Sequence, residues 1–246
     1  MKLVINEKLI KRNIKIGQYT ALGGLIIIGI AIYYAIQFFI NPDSISETTN
    51  YVLIGVMLFG FILAQISMYY GNRWGRKPRL DERLTSALKG LTYDYTLYHY
   101  VTPTPHVLVG PAGIWVLTAF YQRGQITYEN GRWKQKAGGV GYNYMRIFGQ
   151  ENLGRPDLEA KAEAEHLRRH LEKLLPGEEL PPIQALAVFT DEQADVQVSE
   201  APIPTLPLKK LKEFIRKQAK EAPLPKAEVE KIRAVLPKET GKRKEA

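Results

Sequence analysis

Two long uncharged stretches dominate the pattern of hydrophobic and polar positions along the chain. Residues 16–42 contain no Asp, Glu, Lys or Arg, and neither do residues 48–72. Each stretch is longer than the roughly 20 apolar residues that a transmembrane helix requires. We therefore predict two membrane-spanning helices, near residues 17–40 and 50–70, within an N-terminal segment of residues 1–79.

The remainder of the chain alternates between helix-like and strand-like patterns. Apolar spacing predicts helices at 81–89, 156–175, 207–220 and 226–235. β-branched and aromatic runs predict strands at 93–101, 106–109, 114–120, 125–128, 131–135 and 183–190, with a short strand near 196–198. Residues 137–154 are rich in glycine and predict an irregular loop. This order predicts an α/β domain with a mixed sheet over residues 80–236, followed by a charged tail at 237–246.

The positive charge is concentrated beside the two apolar stretches. The formal net charge is +9, but residues 2–15 and 73–79 hold nine basic residues and one acid. The turn between the stretches holds only Asp43 and Glu47 as charged residues. Because basic flanks stay on the cytoplasmic side, we predict a two-span protein of the cell membrane with both termini in the cytoplasm. The soluble part is nearly neutral, so the charge leaves nucleic-acid binding undecided.

Several segments of the soluble part resemble the nuclease-related domain family, NERD. Asp81-Glu-Arg-Leu opens a predicted helix, and Val107-Leu-Val-Gly-Pro-Ala-Gly-Ile-Trp-Val-Leu places a Gly-Pro-x-Gly turn between two apolar strands. Arg155-Pro-Asp-Leu-Glu opens the next helix, and the strand at Val188-Phe189 follows it. The resemblance covers residues 80–236. It implies a restriction-endonuclease-like fold, in which an Asp on one strand and the Glu of a Glu-x-Lys on the next bind a divalent metal.

The positions of those metal-binding groups are occupied by other residues. Pro105 stands where the family has Asp, and Thr118 and Phe120 stand where it has Glu and Lys. Mg²⁺ prefers carboxylate oxygens, whereas these three side chains offer one hydroxyl group. The chain also has no cysteine, which excludes cysteine nucleophiles. We therefore expect no catalytic residues at the family positions, no bound metal and no cofactor.

Acidic residues elsewhere define an alternative, a metal-dependent nuclease whose carboxylates have been relocated. Glu82 and Glu159 are the candidates, and Mg²⁺ is the cofactor under this alternative. Asp81 is interpreted as a charge in the first turn of a helix, where it suits the helix dipole. His106 begins an apolar strand and is expected to pack in the core.

A basic amphipathic segment is the one charged feature within the soluble part. Its apolar positions predict a helix face that packs on the sheet, while its cations make a candidate site for an anionic surface. The six cations are Lys209, Lys210, Lys212, Arg216, Lys217 and Lys220.

The leading hypothesis is a membrane-anchored NERD-like protein that is not catalytic and acts as a cytoplasmic binding or scaffolding module. The lipid bilayer is the predicted partner, and the open alternatives for a further partner are an anionic lipid surface and another protein. The relocated nuclease is the competing hypothesis. These hypotheses differ in whether carboxylates converge near Pro105 and Thr118.

Overall fold

The computed structural model describes residues 1–41, 46–136 and 153–238. The chain divides into two compact units. One comprises residues 9–79, and the other combines residues 1–8 with the chain from Leu80 onward. The second unit therefore contains both the start of the chain and the whole predicted soluble part.

The first unit contains a pair of long apolar helices. Helix α1 covers Glu7–Ile40, and helix α2 covers Glu47–Tyr70 and continues into one π-helical turn, Gly71–Gly75. Both are long and apolar enough to cross a membrane, as predicted. Helix α1 begins before the predicted span because the polar residues that precede the apolar stretch are also helical. Ser46 caps α2 by accepting a hydrogen bond from the backbone nitrogen of Thr49 at 3.2 Å.

Small residues bring α1 and α2 into close contact. A Cβ added at Gly60 would lie 2.6 Å from Cγ2 of Ile27, which leaves no room for any side chain. Ser67 Oγ also donates a hydrogen bond to the carbonyl oxygen of Gly17 at 3.2 Å. By contrast, a Cβ at Gly55 would meet no atom within 4 Å. Gly60 is therefore a packing residue of the helix pair, as small residues often are in membrane helices.

The second unit is α/β and is built on a mixed six-stranded sheet, as predicted. The strand order is β1-β2-β3-β4-β7-β9, and a separate three-stranded sheet has the order β6-β5-β8. Strands β2, β3 and β4 are antiparallel neighbours, whereas β1 with β2, β4 with β7 and β7 with β9 are parallel. The strands are β1 (Lys2–Ile5), β2 (Thr96–His99), β3 (His106–Gly110), β4 (Gly113–Phe120), β5 (Gly124–Glu129), β6 (Arg132–Lys136), β7 (Ile183–Phe189), β8 (Ala194–Gln197) and β9 (Thr205–Pro207).

Helices cover both faces of the large sheet. They are α3 (Leu80–Ala87), α4 (Pro156–Leu174), α5 (Leu211–Glu221) and α6 (Lys226–Val235), with a 3₁₀ turn, Leu208–Lys210, before α5. Alternate residues of β4 point to opposite faces. Trp115 and Leu117 pack with α3 and α5, while Ile114 and Val116 pack with α4 and α6.

The Gly-Pro-x-Gly turn between β3 and β4 has a steric explanation. A Cβ at Gly110 would lie 2.3 Å from Cδ1 of the Tyr95 ring, so that only glycine fits beneath it. Gly113 has a φ angle of +103°, a conformation that residues with a side chain rarely adopt. The predicted strands at 125–128 and 131–135 pair as the antiparallel hairpin of β5 and β6, and the Asn130-Gly131 pair, which favours such turns, has positive φ angles.

Strand β1 was not predicted from the sequence. It pairs in parallel with β2, and Val4 is buried in the core against the α4 and α6 face. The backbone nitrogen of Lys2 donates to Tyr95 O at 2.8 Å, and that of Asn6 donates to His99 O at 3.0 Å. Residues that precede the first apolar helix thus form an edge of the sheet of the second unit.

Two further predictions require correction or fall outside the described residues. The predicted helix at 207–220 is preceded by strand β9, which pairs with β7, so the helix proper begins at Leu211. This pairing overrides the helical pattern at the start of the segment. The predicted loop at 137–154 and the tail at 237–246 lie mostly outside the described residues.

Candidate functional site

The three positions that the resemblance singles out lie on or next to two neighbouring strands of the large sheet. Thr118 and Phe120 lie near the carboxyl end of β4. In the antiparallel pairing of β3 with β4, Val107 faces Val116. Pro105 immediately precedes β3, the neighbour of β4 in the sheet.

The β4 positions are packed and occupied by other interactions. Thr118 is 4% exposed, and its hydroxyl donates a hydrogen bond to Oε2 of Glu163 on α4 at 2.7 Å. Phe120 is 5% exposed and stacks on Phe189 of β7 with ring centroids 5.3 Å apart. Sequence reasoning did not single out Glu163, because nothing in the helical pattern distinguishes it from its acidic neighbours.

The Pro105 position adjoins a buried pair of histidines. His106 is 3% exposed, which confirms the prediction that it packs in the core. Its Nδ1 lies 2.8 Å from Nδ1 of His99, and Nε2 of His99 lies 2.9 Å from the hydroxyl of Thr85. One of the two Nδ1 atoms must carry a proton for this hydrogen bond to form. The pair links α3, β2 and β3, and Tyr100 N donates to the Pro105 carbonyl at 2.8 Å beside it.

The two candidates for a relocated site lie on different helices. Glu82 belongs to α3 and Glu159 to α4, and these helices cover opposite faces of the sheet. Glu82 is half-buried and Glu159 is exposed. Within residues 1–41, 46–136 and 153–238, no three His, Asp or Glu side chains are grouped so as to hold a metal ion. Asp81 lies in the first turn of α3, as predicted, and its side chain is only 1% exposed.

A buried carboxylate fixes the start of α4. Asp157 accepts hydrogen bonds from Nε1 of Trp133 on β6 at 2.7 Å and from Nε of Arg155 at 3.3 Å. Burial on its own raises the pKa of Asp157, but the hydrogen bonds from Arg155 and Trp133 outweigh it and hold that pKa below its usual value. Pro156 occupies the first turn of the helix, where its missing N–H costs nothing. This contact joins the small sheet to α4.

Helix α5 combines a buried apolar face with the predicted cations. Leu211 and Ile215 are fully buried, and Phe214 packs edge-on against Trp115 with ring centroids 5.2 Å apart. The prediction that its apolar face packs on the sheet is therefore confirmed.

The six cations of the predicted anionic site have different surroundings. Lys212 Nζ donates to Lys89 O, and Arg216 Nη2 donates to Gly90 O, each at 3.2 Å. Nζ of Lys217 lies 3.7 Å from Oε1 of Glu221, one helical turn away. Within the described part of the chain, no hydrogen bond or ion pair engages the side chains of the remaining three, which are Lys209, Lys210 and Lys220.

These cations line a groove at the β9 edge of the sheet. The groove has a volume of about 1070 Å³ and lies between α5 and residues 198–206. Its apolar wall includes Pro202, Ile203 and Pro204, while Glu213 is the acid that lines it. Such an arrangement suits an anionic ligand with some apolar surface.

Comparison of the chain with protein-family models, with curated proteins and with solved structures found no match. The family assignment consequently stays a proposal that rests on the sequence segments described above.

Proposed function

We propose that this chain is a membrane-anchored NERD-like protein that acts as a non-catalytic binding or scaffolding module on the cytoplasmic side. The observation that carries the proposal is that the side chains of Thr118 and Phe120 are buried and engaged in other contacts. The Thr118 hydroxyl donates a hydrogen bond to Oε2 of Glu163, and the Phe120 ring stacks on Phe189. A metal-dependent nuclease needs accessible anionic oxygens at these positions, and both are closed by packing.

The α/β architecture supports the family part of the proposal. A mixed sheet carries the family positions at the carboxyl end of β4 and at the start of β3. The Gly-Pro-x-Gly turn joins these two strands with the close backbone approach at Gly110. A restriction-endonuclease-like fold is therefore our proposal for residues 80–236.

Chain connectivity supports the proposed topology. Strand β1 precedes α1 and belongs to the same sheet as the strands that follow α2. Two membrane crossings return the chain to the side on which it started. Basic residues flank the outer ends of both helices, which favours the cytoplasm for that side.

A cleavage assay on the full chain in detergent tests the catalytic part of the proposal. We expect no Mg²⁺- or Mn²⁺-dependent cleavage of single- or double-stranded DNA. The competing hypothesis predicts cleavage that chelation abolishes and that Glu82→Gln or Glu159→Gln reduces. Glu179→Gln, a change of the same charge at an exposed position, is the matched control. Cleavage with that pattern would overturn the non-catalytic proposal.

Cysteine labelling tests the topology, since the chain has no cysteine of its own. Thr48→Cys places a thiol at the start of α2, and Ser199→Cys places one in the second unit; both positions are exposed. In intact cells an impermeant thiol reagent should label the first variant, and it should label the second only after lysis. The reverse pattern would show that the orientation is wrong.

A further inference from the structure

Two of the six cations of this basic segment also support the fold. Lys212 and Arg216 donate to the carbonyls of Lys89 and Gly90, which follow the last turn of α3. Cations are favourable at this end of a helix because its carbonyl groups carry partial negative charge. The ligand-binding capacity of the groove is therefore concentrated in the other cations, above all Lys209, Lys210 and Lys220.

The start of the groove lies where the parallel strands of the large sheet have their carboxyl ends. Strands β1, β2, β4, β7 and β9 all run in the same direction, so their carboxyl ends share one edge. Lys209 and Lys210 directly follow the end of β9 at this edge.

The same edge also carries both connections to the apolar helices. One residue, Asn6, separates the end of β1 from the start of α1. Helix α3, which follows the apolar helices in the chain, is tied to this edge by Arg83, whose Nη1 donates to the carbonyl of Thr190 at 2.6 Å. Lys209, Lys210 and both connections thus lie at the same edge of the sheet.

We propose that this groove binds the phosphate-bearing headgroups of anionic lipids in the leaflet next to the domain. The inference rests on the proposed membrane anchoring and adds the ligand of the groove. Lysine ammonium groups attract anionic headgroups near a membrane surface. The exposed side chains of Pro202 and Pro204 provide an apolar surface for the less polar part of a lipid near its headgroup.

The test uses the full chain with Ser199→Cys, a position that lines the groove, labelled with a polarity-sensitive fluorophore. The protein is reconstituted in nanodiscs of phosphatidylcholine, with or without phosphatidylserine. We expect a blue shift of the emission with phosphatidylserine that high salt reverses. The triple variant Lys209→Gln, Lys210→Gln, Lys220→Gln should lose more than half of this shift.

A matched triple variant controls for net charge. Lys136→Gln, Lys173→Gln and Lys238→Gln remove the same charge from exposed positions outside the groove and should keep the shift. Lys212→Gln with Arg216→Gln should lower the thermal unfolding temperature and keep most of the shift, since these two side chains support the fold. An unchanged near-ultraviolet circular dichroism spectrum shows that a variant is folded.

Three results would overturn the inference. The first is that phosphatidylserine causes no shift of the emission when the groove lysines are unchanged. The second is an equal loss of the shift in both triple variants, which would reflect general charge attraction. The third is an equal shift in phosphatidylcholine nanodiscs on addition of inorganic phosphate or polyglutamate, which would assign the groove to a soluble anion. None of these results bears on the cleavage assay, so the two proposals fail independently.

Discussion

Strand β1 gives the sharpest test of the fold, because two adjacent residues of this strand lie in opposite environments. Val4 is 8% exposed and packs in the core, whereas Leu3 is 46% exposed. Replacing each by Asp places the same carboxylate on the inner or the outer side of the strand. We predict that Val4→Asp releases β1 from the sheet and that Leu3→Asp leaves it in place.

The expected magnitudes follow from burial. Burying a valine side chain contributes about 1.5–3 kcal/mol, and Val4→Asp loses this contribution and adds the cost of desolvating a carboxylate. About half of the Leu3 side chain is already in water, so Leu3→Asp should cost less than about 1.5 kcal/mol. The difference between the two variants is therefore at least about 2 kcal/mol, from the desolvation cost together with the burial difference.

Hydrogen exchange on the full chain in detergent measures the release directly. Loss of β1 uncovers the edge of β2, so backbone amides of Thr96–His99 that face β1 should exchange faster in Val4→Asp. Thermal unfolding of the same samples gives the loss of stability. Equal exchange rates and equal unfolding temperatures in the two variants would refute the assignment of β1 to this sheet.

Two further predictions concern contacts within each unit. Gly60→Ala should destabilise the pair of apolar helices by about 1–3 kcal/mol in thermal unfolding, because its new Cβ overlaps Ile27. Gly55→Ala is the control and should leave the stability unchanged. Adding Ile27→Ala to Gly60→Ala should restore the lost stability, and a failure to restore it would disprove the contact. Asp157→Asn should cost about 1–3 kcal/mol near neutral pH, since it weakens a charged hydrogen bond with Arg155. The pKa of Asp157 is lowered in the folded state, so its contribution is present above the unfolded pKa of about 3.9 and is lost as the pH falls through the folded value. The stability gap between Asp157→Asn and the unmodified chain should therefore narrow below about pH 4, and a gap independent of pH would contradict this account.

The sequence predicted those parts of the fold in which local pattern and tertiary packing agree. The apolar faces of α4 and α5 follow helical spacing, and the turn at Asn130-Gly131 has the backbone conformation that these residues favour. The glycines of the turn between β3 and β4 were recognisable as a motif before their steric cause was visible. In each case the signal lies within a few consecutive residues.

The missed features depend on partners far away in the chain. Residues 2–5 are short and adjoin a long apolar helix, so nothing local reveals that they pair with β2, which lies more than 90 residues further along. Glu163 is one acid among several on an exposed-looking helix, and only the packing of α4 on β4 brings it to Thr118. Asp81 lies in the first turn of α3, as its sequence position predicts, but its burial depends on packing that the local pattern does not reveal.

The distribution of polar groups connects the two proposals about function. At the carboxyl end of β4, a threonine and a phenylalanine are packed against α4 and β7, so that neither side chain offers an open ligand for a metal or a phosphodiester. At the same edge, strand β9 next to β7 is followed by the exposed residues Lys209 and Lys210, whose side chains have no partner among the described residues. A buried, satisfied pair cannot recognise an anion, whereas unengaged ammonium groups beside an apolar wall can. Anion recognition is therefore expected at β9 and α5 and not at Thr118 and Phe120.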